Sequence, residues 1–129
     1  ISVPFYLYIP QVLQNDIYYD KNRIGSHKDI FPTLYNLSLN NTKYLSMGGR
    51  DMLSRPNDTK MEFAMHINVW ADNDGIYPIS STQGYRYQNS NTLKNSNDSF
   101  ELDESKVQFH KLYEEFSYYQ LAWRLGLIK

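Results

Sequence analysis

The chain has no cysteine among its 129 residues, which excludes disulfides, thiolate metal sites and a cysteine nucleophile within it. It has no excess of charge, since 13 Lys+Arg face 14 Asp+Glu for a formal net charge of -1. It projects no basic field toward nucleic acid or anionic lipid, and no nucleic-acid partner is expected. No apolar run approaches the roughly 20 residues that span a bilayer. No charged n-region with a small-residue cleavage site marks a signal peptide. Internal repeats and a convincing linker are also missing. What is present suits a folded chain: 16 % aromatic and 21 % charged residues. One core at this length would bury about two thirds of the unfolded surface.

The chain opens at Ile1 on an apolar run ending at Pro10. Val3, Phe5, Leu7 and Ile9 share one alternating face, and Tyr6 and Tyr8 the other. A strand apolar on both faces belongs inside a covered sheet, with Pro4 at its start. No βαβ repeat offers it parallel partners, so this beginning is expected to be a cut edge of a larger protein. An exposed edge of that kind would self-associate as an artefact.

Asn15 to Gly25 reads as a polar loop. Ile30, Leu34 and Leu37 then fall on one helical stripe. Asp29 is the preferred N-cap, with Pro32 in the first turn. Ser26 as cap would place Pro32 deeper, against the carbonyl of residue 28. Asn40-Asn41 ends this helix, and Gly48-Gly49-Arg50-Asp51 signals a turn. It is no phosphate loop, because no G-x-x-x-x-G-K follows. Residues 60 to 70 alternate: Met61, Phe63, Met65, Ile67 and Val69 face one way, and Lys60, Glu62, Ala64, His66 and Asn68 the other. That pattern predicts one half-buried strand. Turns at 71–75 and 81–84 lead into strands at 76–80 and 85–88. The Asn- and Ser-rich stretch 88–99 reads as a mobile loop before a short strand at 100–102. Asp103 caps a helix running to about Leu125, with Gly126 as its C-terminal stop. Phe109, Leu112, Phe116, Tyr119 and Trp123 form its apolar stripe, expected to lie on the sheet. The fold class is therefore α+β: a core strand and helix over 1–55, then a four-stranded antiparallel meander packed on a long helix over 56–129.

Chemistry is sparse. His27, two residues before Asp29, suits either a substrate contact at a helix mouth or an exposed loop position. His66 and His110 read as solvated surface residues. The three His lack H-x-x-x-H or H-x-H spacing, so no metal site is expected in this chain. Asp72 and Asp74 sit in a turn, Asp103 and Glu104 at a helix cap, and Glu114 and Glu115 on its solvated face. No Ser lies in G-x-S-x-G. Tyr77, Tyr85 and Tyr87 fit a carbohydrate platform or, more commonly, cross-strand packing.

The segment from Ser26 to Leu39 resembles the D-x-x-P-T-L-x-x-L helix of the sulfatase/alkaline-phosphatase superfamily, with Asp29, Pro32, Thr33, Leu34 and Leu37 at the motif positions. Val3-Pro-Phe-Tyr-Leu-Tyr-Ile-Pro10 resembles that family's core strand. Tyr44 to Leu53 resembles its G-x-(S/D)-L segment, and the meander with its helix resembles the C-terminal subdomain. Within the superfamily the look is that of lipoteichoic acid synthase-like phosphoglycerol and phosphoethanolamine transferases.

The resemblance implies a membrane-anchored, extracytoplasmic transferase or hydrolase acting on cell-envelope lipid or glycan. It implies a divalent ion (Mn, Mg, Zn or Ca) in the parent protein, an Asp-His pair of ligands, and a Thr, Ser or formylglycine nucleophile. This chain has no Asp-His dipeptide and no C/S-x-P-x-R motif, so those groups would precede Ile1, in roughly 300 residues or about two domains' worth. The chain alone is then expected to hold no catalytic and no metal-ligating residue, and to be inactive scaffold partnered by the rest of its catalytic domain. Only Ser26 and His27, at the mouth of the family helix, remain as substrate-binding candidates. The alternative is a stand-alone glycan-binding or protein-interaction module on the tyrosine face.

Overall fold

The computed structural model describes residues 4–39, 43–44, 48–89 and 92–129. The architecture is α+β, with a short helix, a five-stranded antiparallel sheet and a long C-terminal helix. The chain divides into two compact units, Ile1–Ala64 and Met65–Lys129.

In the first unit, helix α1 covers Ile30–Ser38 and follows a 3-10 turn at His27–Asp29. Asp29 is helical (φ -91°, ψ -14°) and does not cap α1. Ser26 has the extended backbone of the cap position, φ -142° and ψ -178°. The tight first turn removes the objection to Ser26 as cap. The Lys28 carbonyl lies against Gly49, where a Cβ would come within 1.8 Å of its oxygen. Ile30, Leu34 and Leu37 are only half-buried, whereas Pro32 and Thr33 are buried. Asn40-Asn41, the expected terminator, lies outside the described residues; α1 closes at Leu39, whose N–H donates to Tyr35 O at 2.7 Å. The loop expected over 15–25 is a loop.

Residues 4–9 form no strand, contrary to expectation, and Tyr6 and Tyr8 are exposed. A strand exists only by pairing, and among the described residues no strand pairs with this segment. Val3 lies outside the described residues.

In the sheet the order is β1-β2-β3-β4-β5, with β1 Ala64–His66, β2 Val69–Ala71, β3 Ile76–Pro78, β4 Gln83–Asn89 and β5 Thr92–Glu101. The single strand expected over 60–70 is instead a 3-10 turn at Thr59–Met61 and a tight hairpin. Ile67, placed on the buried face by its alternation, is exposed in the β1–β2 turn beside Asn68. Asn68 tolerates turn geometry, which the apolar pattern could not reveal. The turn over 72–75 closes with Asp72 N–H donating to Gly75 O at 3.0 Å, as expected. At Gly75 and Gly84 the neighbours Tyr85 O and Tyr77 Cδ1 lie 2.3 and 2.5 Å from a built Cβ, so both sites need glycine.

The stretch expected to be a mobile loop is the long strand β5, paired antiparallel with β4 from Asn89↔Thr92 to Gln83↔Glu101. Its Asn and Ser residues are mostly exposed, so no apolar period betrays it; the backbone ladder with β4 makes the strand. Residues 90–91 lie outside the described residues.

Helix α2 spans Glu104–Arg124, and Asp103 caps it by accepting from Lys106 N–H at 2.9 Å. It ends in a Schellman motif. Leu127 N–H donates to Ala122 O and Gly126 N–H to Trp123 O, both at 3.0 Å, with Gly126 at φ 70°. The expected stripe does not face the sheet: Leu112, Phe116, Tyr119 and Trp123 are exposed. The buried face carries His110 and Tyr113. The reason is polar. Trp70 and Tyr77, the buried aromatics of β2 and β3, need partners for their polar atoms: Trp70 Nε1–H donates to Glu114, and the Tyr77 hydroxyl oxygen accepts from Lys106 Nζ. His110, expected on the surface, is 8 % exposed, stacked on Trp70 at 4.1 Å.

Candidate functional site

The first unit is organised by five charged side chains. Asp29, 2 % exposed at the start of α1, is their hub. Its Oδ2 accepts the Ser26 N–H at 2.9 Å and Arg50 Nη2 at 3.1 Å. Its Oδ1 accepts the Arg50 N–H at 2.9 Å, Arg50 Nε at 3.2 Å and Lys28 Nζ at 2.9 Å. Arg50 Nη2 also donates to the carbonyls of Ile24 at 2.8 Å and Phe63 at 3.0 Å. Its Nη1 sits 3.0 Å from Glu62 Oε2, close enough for charge attraction but outside hydrogen-bond geometry.

Glu62 is held from the other side by a bidentate fork, Arg23 Nε at 2.7 Å and Nη2 at 2.8 Å. Arg23 Nη1 donates to the carbonyls of Met52 at 3.0 Å and Ser54 at 2.8 Å. The two guanidinium groups therefore tie the loop before α1 to the segments 50–54 and 62–63. Thr33 extends the network: its hydroxyl donates to Asp29 O at 2.7 Å and accepts the Met52 N–H at 2.9 Å. The Lys28 ammonium lies 4.5 Å from the centre of the Phe63 ring.

The charges hold each other ionised. Burial pushes the Asp29 carboxyl up, but the Arg50 hydrogen bonds and the Lys28 charge outweigh it and hold the group below the usual carboxylate range. The Arg23 fork does the same for Glu62, against a smaller burial effect. Burial leads in lowering the Lys28 ammonium, with Arg50 adding to it against Asp29.

A cleft of about 330 Å³ opens over this framework, lined among others by Asn36, Tyr44, Arg50, Asp51 and Arg55. Asp51 is engaged by Asn36, Ser54 and the Leu53 N–H. Ser26 and His27 do not line the cleft. Ser26 is half-buried at the cap position, and His27 is exposed on the 3-10 turn beside it. The structure thus joins Ser26 to Asp29 through the backbone and leaves His27 at the surface.

Sequence reasoning missed Arg23, Lys28, Arg50 and Glu62 as one cluster. Arg50-Asp51 follows the glycine pair that signals a turn, and the alternation over 60–70 puts Glu62 on the polar face of a strand. In the second unit, Tyr77 is fully buried, so no sugar can stack on it. Its hydroxyl donates to Asp72 Oδ1 at 2.7 Å, and Tyr87 donates to Asp72 O at 2.6 Å.

The ion implied for the parent protein finds no donor set among the described residues. No three of their His, Asp and Glu side chains converge on one point. Asp29 and Glu62 are committed to Arg and Lys, and Asp72 and Asp74 to Lys106. Among the described residues no helix is long and apolar enough to cross a membrane. No family model, curated protein or solved structure matches this chain.

Proposed function

We propose that this chain is the C-terminal part of a sulfatase-like, metal-dependent phosphotransferase or sulfuric/phosphoric ester hydrolase acting on cell-envelope lipid or glycan, and that these residues are its scaffold. The observation that supports the reading is the fate of the motif residues. Asp29, Pro32 and Thr33, the fixed positions of D-x-x-P-T-L, are the buried residues of the 3-10 turn and of α1. Asp29 and Thr33 bind backbone groups of the 50–52 segment. A motif used this way sets the position of a helix and a loop; it does not touch substrate.

In this reading the rest of the catalytic domain supplies the ion, its ligands and the nucleophile, on the outer side of a membrane that anchors the protein. Ser26 and His27 stand at the helix mouth as the groups able to reach an anionic ester, the Ser hydroxyl and the imidazole being hydrogen-bond donors. The chain upstream of Ile1 tests this. The reading expects an Asp-His dipeptide and a Thr, Ser or Cys nucleophile there. A coding sequence with neither overturns it.

A further inference from the structure

The second unit contains a titratable group that the proposed function does not use. His110 lies on the buried face of α2, its ring parallel to the Trp70 indole (4.1 Å, 8°) and edge-on to Tyr77 at 5.6 Å. Among the described residues no protein group hydrogen-bonds its ring nitrogens. The carboxylates that face it are already committed. From α2, Glu114 accepts Trp70 Nε1 at 2.8 Å and the Ser80 hydroxyl at 3.2 Å. From the β2–β3 turn, Asp72 pairs with Lys106 at 2.6 Å, and Asp74 with the same ammonium at 3.2 Å. Lys106, one helical turn before His110, is the nearest cation, and its Nζ also donates to the Tyr77 hydroxyl at 2.8 Å. From β4, the Tyr87 hydroxyl donates to Asp72 O and Gly75 O and stays neutral.

We propose that His110 is an acid-sensitive latch: the neutral ring holds α2 on β2 and β3, and protonating it loosens the helix from the sheet. A proton there places a charge in a slot 8 % exposed, beside Lys106 and with no uncommitted protein carboxylate facing it among the described residues. The Trp70 face offers a cation some attraction, worth about 0.5–2 kcal/mol in general. Burial first, then Lys106, nonetheless hold the ring below its ordinary range, against the pull of Asp72 and Glu114. The folded state therefore binds fewer protons than the unfolded one below about pH 6.5. The latch is fully engaged above that value and is lost as pH falls through the ring's folded midpoint.

The test follows α2 by hydrogen exchange, corrected for the intrinsic pH dependence, as the whole protein is taken from about pH 7.5 to about pH 5. Trp70 emission in a Trp123→Phe background provides a second readout. Exchange of the 106–122 amides is expected to rise about tenfold for each pH unit by which the folded midpoint lies under about 6.5. His110→Phe keeps the stacked ring without the proton and is expected to abolish the rise. An equal rise in His110→Phe overturns the proposal. Should that variant not fold, an NMR titration of the wild-type His110 ring decides: a midpoint below about 6.5 supports the latch, and one at or above it overturns it.

Discussion

Asp29→Asn removes the hub charge while keeping the shape of the side chain. The framework then changes from three cations and two anions to three cations and one anion (Arg23, Lys28 and Arg50 against Glu62). One oxygen of the new amide can still accept, but its NH₂ meets the donors that the second oxygen served. Among them are Arg50 Nη2 at 3.1 Å and the Ser26 N–H at 2.9 Å. Removing one partner of a buried ion pair costs about 3–5 kcal/mol, because the opposite charge stays buried and unpaired. Against a typical stability of about 5–15 kcal/mol this is about a fifth or more of the total. Both tryptophans, Trp70 and Trp123, lie in the second unit. Emission therefore reports that unit, and hydrogen exchange of peptides over 23–53 reports the first. The expected result is exchange faster by two orders of magnitude or more at Ser26, Arg50 and Met52. Arg86→Gln, which breaks the exposed Arg86–Asp98 pair, is the control and should cost less than about 1 kcal/mol. A loss in Asp29→Asn no larger than in that control would refute the reasoning.

Gly49→Ala should destabilise the first unit by about 1–3 kcal/mol or more, measured by urea denaturation, because its Cβ meets the Lys28 carbonyl at 1.8 Å and Pro32 Cγ at 2.7 Å. Gly126→Ala meets nothing within 4 Å but sits at φ 70°, so it should cost only the left-handed penalty of about 1–2 kcal/mol. The Tyr87 hydroxyl, pushed up to about 12 by burial and by Asp72 and Asp74, keeps its proton longer folded than unfolded. The second unit should hold this contribution below about pH 10 and lose it as pH rises toward 12. Thermal denaturation of Tyr87→Phe should show a shallower alkaline slope, since Tyr77, also pushed up by burial and Asp72, keeps its own share; an unchanged slope would discount the Tyr87 contribution.

The legible parts of the sequence were those where local rules and burial agree. α2, the Asp103 cap, the Gly126 stop and the turn at 72–75 follow from capping chemistry and glycine geometry, which act within a few residues; α1 starts at Ile30 as its period predicts, without the Asp29 cap. The α+β class followed from these elements. β5 is not legible, since its polar residues mostly face water and the β4 backbone ladder sets its pairing. The apolar stripe of α2 misleads because hydrophobicity does not choose the docked face; the Trp70 N–H, which donates to Glu114, and the Tyr77 hydroxyl oxygen, which accepts from Lys106, choose it instead. The Asp29 framework joins residues up to 39 positions apart in the chain, and no local period records such a pairing. The D-x-x-P-T-L spelling marked the place without saying that its acid is bound by Arg50.

The most direct test of the functional account is ester turnover by the whole protein that contains this chain, with Mn²⁺, Mg²⁺, Zn²⁺ or Ca²⁺ supplied in turn. The account predicts ion-dependent cleavage or transfer of a phosphate or sulfate ester by the whole protein, and none by residues 1–129 alone. Turnover by the isolated 129 residues, or none by the whole protein with any of the four ions, would contradict it.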